Sequence, residues 1–299
     1  MDSSSTTLAA SGLEFSARIA GPEAGLAVVL VHGFPDSPAT FRHQIEPLVE
    51  AGYRVIVPTM RGYEPSSQPA DGDYSLMALA DDVVGWLDDL GIAQAHLVGH
   101  DWGAAVAYVA AARFPGRLLS MTALAIPPLA RIPDALRRVP RQLQRSWYMN
   151  FFQLRGVADR ALAAGDWRLL RRLWRDWSPE YELSAAEWLE LRTQFEQPGV
   201  VGATLAYYRQ NATPPVLLGL KPSPVMDLTE INVPTLVMHG TDDGCMDRRL
   251  FEHAVLTADF SAGVDVQEVK GVGHFLHLEA PDVINPILLA HLRAQTPGS

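Results

Sequence analysis

The segment Gly99-His100-Asp101-Trp102-Gly103 constrains the fold of this 299-residue chain more than any other. A short apolar run, 95–98, leads into it, and an alanine-rich run, 104–111, leads out of it. Glycines on both sides of a central reactive residue are typical of a sharp strand-to-helix turn, where close backbone approach leaves no room for a Cβ. The segment therefore predicts that Asp101 lies between the end of a buried strand and the start of a helix.

An aspartate at the centre of such a turn indicates a particular chemistry. A carboxylate can attack an sp³ carbon and form an alkyl ester on the protein, which water must then hydrolyse. That sequence of steps suits the opening of a strained ring or the expulsion of a halide. It disfavours a serine esterase, and the chain contains no Gly-x-Ser-x-Gly segment.

Composition and charge exclude several functional classes. The formal net charge of −10 argues against sequence-independent nucleic-acid binding, which needs a basic surface. A single cysteine, Cys245, excludes an internal disulfide and favours a reducing compartment. The chain shows neither a secretory leader pattern nor an apolar run long enough to span a bilayer. We therefore expect a cytoplasmic protein without a nucleic-acid or membrane partner.

Six short runs of apolar and β-branched residues alternate with helical patterns and predict buried strands. They are residues 27–31, 53–57, 95–98, 120–126, 235–238 and 264–269. Between two of them, residues 76–90 place leucine, valine and tryptophan on one face at helical spacing. This alternation predicts an α/β fold, a mostly parallel sheet flanked by helices on both faces.

The alternation stops after Ile126 and resumes at about Pro234. The intervening stretch, rich in arginine, leucine and tryptophan, predicts several helices inserted between two strands. Such an insertion would cover the carboxyl edge of the sheet, where open α/β sheets bind ligands. We expect a core formed by residues 1–126 and 227–299 and a helical cap, or lid, formed by residues 127–226. The Ser- and Thr-rich N-terminus is interpreted as a low-complexity tract.

Two loops after predicted strands supply candidates for a base and its orienting acid. His274 follows the last strand and is expected to face the turn that carries Asp101. The acid is expected after the preceding strand, where the Gly-x-x-Asp spacing favours Asp243 and leaves the adjacent Asp242 as the alternative. The order nucleophile, acid, histidine along the chain is that of α/β hydrolases.

The turn after the first strong strand supplies candidates for stabilising an oxyanion. It reads Val31-His32-Gly33-Phe34-Pro35. Backbone N–H groups in such a turn can point at a tetrahedral intermediate, together with the N–H of the residue after the nucleophile. We expect Phe34 and Trp102 to be these two donors.

Taken together, these segments resemble an epoxide hydrolase of the α/β-hydrolase fold. The resemblance rests on residues 32–35, Arg61-Gly62-Tyr63, residues 99–103 and Gly273-His274-Phe275. It implies that Asp101 attacks the epoxide and that water activated by His274 and Asp243 hydrolyses the ester to a vicinal diol. The expected partners are an epoxide and water, and the oligomeric state stays open between monomer and homodimer.

The resemblance also implies two cap tyrosines that bind the epoxide oxygen and supply a proton as the ring opens. Residues 147–153 place the first at Tyr148, and residues 206–211 place the second at Tyr208, with Tyr207 as the alternative. General-acid help of this kind is worth about 10²–10⁴ in rate. The substrate pocket is expected to be formed by Phe34, Pro35, Trp102, Tyr148 and Phe275.

We expect no cofactor and no metal, because His274-x-x-His277 has no accompanying ligand pattern. Two other functions stay open. A haloalkane dehalogenase shares the aspartate nucleophile and the histidine base, but the asparagine expected after His-Gly is Phe34 here. A non-catalytic ligand-binding member of the fold would be expected to have lost one of the groups named above. The acidic composition and apolar cap favour a neutral, lipophilic substrate over an anionic one.

Overall fold

The computed structural model describes residues 3–296, and within them eight strands form one sheet. The strands are β1 (Ser3–Ala10), β2 (Leu13–Ala20), β3 (Ala27–Val31), β4 (Arg54–Pro58), β5 (Ala95–His100), β6 (Leu118–Leu124), β7 (Thr235–Gly240) and β8 (Val264–Val269). Their spatial order is β1-β2-β4-β3-β5-β6-β7-β8. The β1–β2 and β2–β4 pairs are antiparallel and the others are parallel. The predicted α/β fold with a mostly parallel sheet is confirmed.

Helices connect the strands and cover both faces of the sheet. They are α1 (Arg42–Glu50), α2 (Leu76–Asp89), α3 (Trp102–Arg113), α4 (Ile132–Arg138), α5 (Gln142–Arg145), α6 (Trp147–Phe152), α7 (Val157–Trp177), α8 (Ala185–Phe195), α9 (Val200–Asn211), α10 (Pro214–Leu217), α11 (Arg249–Ala254), α12 (Leu276–Glu279) and α13 (Pro281–Ala294). Non-helical backbone at 164–167 interrupts α7. The predicted helix over 76–90 corresponds to α2, whose first turn is capped by the Ser75 hydroxyl.

All six predicted strands are present, with small differences at their ends. The largest difference concerns β6, which covers 118–124 and not 120–126. Ala125 has a φ of 65°, in the left-handed region that an extended strand cannot contain, and so the chain leaves the sheet there. The segment that follows enters the helical insertion directly.

The N-terminal tract is not a low-complexity tail, because most of it lies in the β1–β2 hairpin. Two positive-φ residues, Ser11 and Gly12, form the turn, with φ values of 53° and 74°. Such a two-residue connection matches the twist of paired antiparallel strands. Phe15 and Ala17 are buried while their neighbours in β2 are exposed, as expected for a strand with one solvated face. This period of two in β2 is the sequence signal that would have predicted the strand.

Two apolar cores lie on the two faces of the sheet. Successive residues of β3 alternate between them: Val29 and Val31 pack into one core, and Val28 and Leu30 into the other. Helices α2 and α3 cover the first core, and α1 and α13 cover the second. The central strands β3, β5 and β6 are thereby buried on both faces, and this buried arrangement holds the carboxyl end of β5 in place.

The segment between β6 and β7 is helical and contains helices α4 to α10. This insertion begins where the sequence predicted a cap, and the exact boundaries 127 and 226 stay a prediction. Among residues 3–296, no helix combines the length and the apolar character that a bilayer crossing requires.

Candidate active site

Asp101 lies in a strained turn between β5 and α3. Its φ is 51° and its ψ is −119°, a conformation that costs about 1–3 kcal/mol for a residue other than glycine. The flanking glycines make the turn possible. A Cβ on Gly99 would collide with the Gly103 carbonyl, and a Cβ on Gly103 would collide with the Val31 carbonyl. The turn therefore forces the Asp101 side chain out at the carboxyl edge of the sheet.

The two carboxylate oxygens of Asp101 have different surroundings. Oδ1 accepts a hydrogen bond of 2.7 Å from the Phe34 backbone N–H. Oδ2 lies 3.4 Å from Nε2 of His274. Trp102 is the first residue of α3, so its backbone N–H has no acceptor within the helix. The Asp101 side chain is 6% exposed, and the local dielectric is therefore low.

His274 lies between two carboxylates. Its Nδ1 is 2.9 Å from Oδ2 of Asp243, and its Nε2 faces Asp101. Because Nδ1 must donate to the carboxylate, this contact fixes the orientation of the imidazole ring. The alternative acid, Asp242, is exposed and accepts a hydrogen bond from Thr241.

The other oxygen of Asp243 is held by its own loop. Oδ1 accepts hydrogen bonds from the backbone N–H groups of Cys245 at 2.7 Å and Met246 at 2.8 Å. These bonds give a buried acceptor its partners and fix the orientation of the side chain. Asp243 is therefore a rigid partner for the histidine.

The charge of this cluster shifts the pKa of His274. Burial alone would lower the pKa, but the carboxylates of Asp243 and Asp101 outweigh it and raise the pKa from 6.5 to about 10. The folded protein therefore binds this proton more tightly than the unfolded chain does. The resulting stabilisation is complete below about pH 6.5 and is lost as the pH rises through about 10.

Two buried tyrosines of the insertion lie above the carboxylate. Tyr148 in α6 and Tyr208 in α9 have ring centroids 5.7 Å apart. The Tyr148 hydroxyl is 3.3 Å from the Cys245 sulfur. The buried Tyr208 hydroxyl lies beside the Trp102 indole and makes no hydrogen bond of ideal geometry among the described residues. Burial, together with the nearby Asp101 charge, raises the pKa of both phenols well above 10. Both hydroxyls therefore stay protonated and can donate.

The neighbouring tyrosine has a different role. The Tyr207 hydroxyl donates a hydrogen bond of 2.6 Å to the Arg61 carbonyl. The Arg61 guanidinium in turn pairs with the buried Asp82 carboxylate through two bonds of 2.6 and 2.7 Å. Tyr207 thus attaches α9 to the core, and its hydroxyl is already engaged.

An apolar cavity of about 80 Å³ adjoins Asp101, Trp102, Tyr148 and Tyr208. Its apolar lining includes Ile126, Leu129, Ile132, Leu136, Leu217 and Val225. Trp102 and Tyr148, both expected in the pocket, line this cavity. Phe34, Pro35 and Phe275, also expected there, are not among its lining residues.

Those three residues pack beside the cluster. The Phe275 ring stacks on Trp174 at 3.5 Å, and the Trp174 indole N–H donates to the Pro35 carbonyl at 2.8 Å. Phe34 lies with its ring 5.4 Å from that of Tyr208. These residues pack around the site without lining the cavity, and sequence patterns alone do not distinguish the two positions.

The end of α7 connects the loops that carry the base and the acid. The Trp177 carbonyl accepts hydrogen bonds from the backbone N–H groups of His274 at 3.1 Å and Gly244 at 3.0 Å. The Ser178 hydroxyl, in turn, accepts a hydrogen bond of 3.0 Å from the Phe275 N–H. The insertion therefore positions the loops of His274 and Asp243 as well as covering them. No sequence motif indicated this role.

A second buried cluster lies behind His274. The Nε2 of His100 donates a hydrogen bond of 3.0 Å to the His274 carbonyl, since a carbonyl oxygen can only accept. Burial lowers the pKa of His100 well below 6.5 and keeps the ring neutral. Asp36, His100 and His277 each have one potential metal-ligand atom, and these three atoms lie within 4.8 Å of one another. Within residues 3–296, this trio and the set Asp243, Cys245 and His274 are the groups whose spacing could hold a metal ion.

The electrostatics of the site give a testable expectation. In Asp101→Asn, one of the two carboxylates that face His274 is replaced by a neutral amide of the same shape. The pKa of His274 should fall below the wild-type value of about 10. An NMR titration of labelled histidine measures it. The matched control, Asp242→Asn, removes an exposed carboxylate and should leave this pKa unchanged, and an equal pKa in wild type and Asp101→Asn would contradict the assignment.

Comparison with known proteins places the chain in a family. A family model described as alpha/beta hydrolase fold matches residues 27–281. An AB hydrolase superfamily protein from Bacillus subtilis is 30% identical over 95% of this chain and 96% of its own length. An epoxide hydrolase from Caballeronia sordidicola is 32% identical over 90% of this chain and 88% of its own.

Solved structures agree with these sequence matches. The crystal structure of epoxide hydrolase A from Mycobacterium thermoresistibile is 29% identical, covers 98% of both chains and superposes with a TM-score of 0.78. The match extends through the helical insertion as well as the sheet, since it covers nearly the whole length. The chain is thus a member of the alpha/beta hydrolase fold family, and epoxide hydrolases are among its relatives at moderate identity.

Proposed function

We propose that this protein hydrolyses an epoxide to a vicinal diol through an ester on Asp101. One observation carries the proposal: a buried carboxylate lies between a backbone N–H donor and a histidine, beneath two protonated phenols. An enzyme that opens a strained three-membered ring needs a nucleophile on one side and proton donors on the other. The relatives named as epoxide hydrolases support the same activity.

The first step forms the covalent intermediate. Oδ1 of Asp101 already accepts the Phe34 N–H bond, so Oδ2 is the oxygen that attacks a ring carbon. A carbon–oxygen bond forms to Oδ2 as the ring carbon–oxygen bond breaks, and its electron pair goes to the ring oxygen. That oxygen takes a proton from Tyr148 or Tyr208. The imidazolium of His274 then returns a proton to the phenolate.

Formation of the ester also prepares the base. The ester is neutral, so His274 loses one of the two negative charges that raise its pKa. The affinity of His274 for its proton therefore falls once the ester has formed, which is when a base is needed to hydrolyse the ester. The neutral imidazole, held by Asp243, can then accept a proton from water.

The second step releases the product. Water attacks the carbonyl carbon of the Asp101 ester while His274 takes its proton, and the tetrahedral oxyanion is held by the N–H groups of Phe34 and Trp102. The bond from the acyl carbon to the alkyl oxygen then breaks, the leaving alkoxide takes the proton of the newly added hydroxyl, and the diol leaves. The carboxylate and the imidazolium are restored, so the sum is epoxide plus water to diol. Losing one oxyanion donor costs about 10²–10³ in rate in comparable sites.

The two phenols favour this reaction over halide release. A departing halide needs N–H donors but no proton, so the two phenols of the cap would have no proton to transfer in that reaction. Phe34 has no side-chain amide that could bind a halide, and its backbone N–H already donates to Asp101. A non-catalytic binding role would leave the strain at Asp101 and the charged cluster without a purpose.

The variant His274→Gln tests the covalent step. Without the base, alkylation should proceed and hydrolysis should stall, so the intact protein should gain the full mass of the added epoxide. Electrospray mass spectrometry of the protein after incubation with a simple epoxide measures this. The double variant Asp101→Asn, His274→Gln is the control and should gain no mass. A protein that stays unmodified while the wild type makes diol would contradict the mechanism.

Two adjacent tyrosines provide a matched pair of variants. Tyr208→Phe removes a hydroxyl that adjoins the cavity, and kcat/KM should fall by about 10²-fold through loss of general-acid help. Tyr207→Phe removes a hydroxyl that donates to the Arg61 carbonyl, so it should cost about 1 kcal/mol of stability and change kcat/KM only a few-fold. Initial rates of diol formation and thermal melts distinguish the two, and a larger rate loss in Tyr207→Phe would exchange their assignments.

A further inference from the structure

An open cavity lies on one side of Asp101, and packed aromatic rings lie on the side of Phe34. The apolar cavity adjoins Asp101 and is lined by Trp102 and Ala105 of α3 and by Ile126 and Leu129, where the chain enters the insertion. Leu136 of α4 and Leu217 of α10 also line it. A substituent on a bound epoxide can extend along this path.

The cavity offers a substituent almost no polar partner. Besides Asp101, Trp102 and the two tyrosines, its polar lining residues are Gln142, Ser146 and Asn211, and the side chain of each is already engaged in a hydrogen bond. Gln142 bonds to the Cys245 carbonyl and the Asp247 N–H, and Asn211 bonds to backbone groups of three residues. Within the lining that the described residues provide, Asp101 is the one charged side chain. The substituent that occupies the cavity is therefore apolar and uncharged.

The space beside Phe34 is filled by aromatic rings. We call Phe34, Phe152, Trp177 and Phe195 the aromatic wall. The Phe34 ring centroid lies 5.6 Å from Phe152, 6.4 Å from Trp177 and 5.8 Å from Phe195. All four side chains are at most 2% exposed, and none of them lines the cavity. These edge-to-face contacts fill the region next to the Phe34 N–H that holds Asp101.

We infer that the substrate is a terminal epoxide that carries one apolar arm, and not an epoxide substituted on both ring carbons. The arm occupies the cavity and the unsubstituted ring carbon faces the aromatic wall. A second arm would have to displace rings that are packed at interior density, which a close-packed core tolerates poorly. The inference rests on the proposed function and adds the substrate class to it.

A pair of isomers tests this inference at equal composition and nearly equal hydrophobicity. 1,2-Epoxyoctane carries one long arm, and trans-4,5-epoxyoctane carries two short ones. We expect kcat/KM of the wild-type enzyme to favour the terminal isomer by on the order of 10²-fold, the upper part of what shape discrimination in an apolar pocket achieves. Values within about threefold of each other, or a preference for the internal isomer, would overturn the substrate assignment.

The length of the arm gives a second measurement on the same enzyme. For terminal epoxides from 1,2-epoxybutane upward, each methylene that enters the cavity should raise kcat/KM by about fourfold until the cavity is full. Leu136→Trp shortens the cavity, so it should lower the ratio of the rates for 1,2-epoxyoctane and 1,2-epoxybutane at least tenfold. An unchanged ratio would contradict placement of the arm there.

A cap variant tests the aromatic wall. Phe195→Ala in α8 removes one ring of the wall, so the rate of the internal isomer relative to the terminal one should rise at least tenfold. Trp188→Ala is the matched control, since Trp188 lies on the same helix and is buried against Arg171 outside the wall. This control should leave the isomer ratio unchanged. An equal rise in both variants would mean that a loosened cap, and not the wall, sets the preference.

The outcomes separate the two levels of the proposal. Hydrolysis of both isomers at similar rates overturns the one-armed substrate and leaves the epoxide hydrolase activity standing. Absence of diol from every epoxide, with a folded wild-type enzyme, overturns both. A strong preference for the terminal isomer that Phe195→Ala relaxes and Trp188→Ala does not supports both.

Discussion

The ion pair of Asp101 and His274 is the interaction on which the rest of the structure depends. Two opposite charges lie 3.4 Å apart with almost no exposure, and a second carboxylate, Asp243, lies on the far side of the imidazole. A buried charge is tolerated only when partners compensate it. The strained turn at Asp101, the Phe34 N–H bond and the loop bonds to Asp243 all serve to hold these three groups in register. In the proposed reaction, the same electrostatics let one site act first through a nucleophile and then through a base.

The helical insertion completes this site in three ways. It brings Tyr148 and Tyr208 over the carboxylate, and the Trp177 carbonyl at the end of α7 ties together the loops that carry acid and base. It also divides the space around Asp101 into an apolar cavity and the aromatic wall. In the proposed reaction, the loops at the edge of the sheet supply the nucleophile and the base, whereas the insertion supplies the proton donors and limits the shape of the bound molecule.

Short-range patterns account for what could be predicted from the sequence. The turn at 99–103 was recognisable because its glycines are a local steric requirement, and the strands because their apolar runs are contiguous. The loops of His274 and Asp243 follow strands of one parallel sheet, so their meeting at one edge could be expected. The β1–β2 hairpin was not predicted, although the apolar and polar residues of Leu13–Ala20 alternate with the period of a half-buried strand. The aromatic wall and the Trp177 carbonyl were out of reach, since both arise from packing between segments more than 60 residues apart.

The central claim is that an ester on Asp101 carries the reaction, and the origin of the product oxygen tests it most directly. Wild-type enzyme in molar excess is allowed a single turnover of an epoxide in ¹⁸O-labelled water, and the peptide that contains Asp101 and the diol are both analysed by mass spectrometry. The account predicts one ¹⁸O atom in the Asp101 carboxyl and none in the diol, because the product takes its new oxygen from the protein. Label in the diol with an unlabelled peptide would mean that water attacks the epoxide directly, and the covalent account would be wrong.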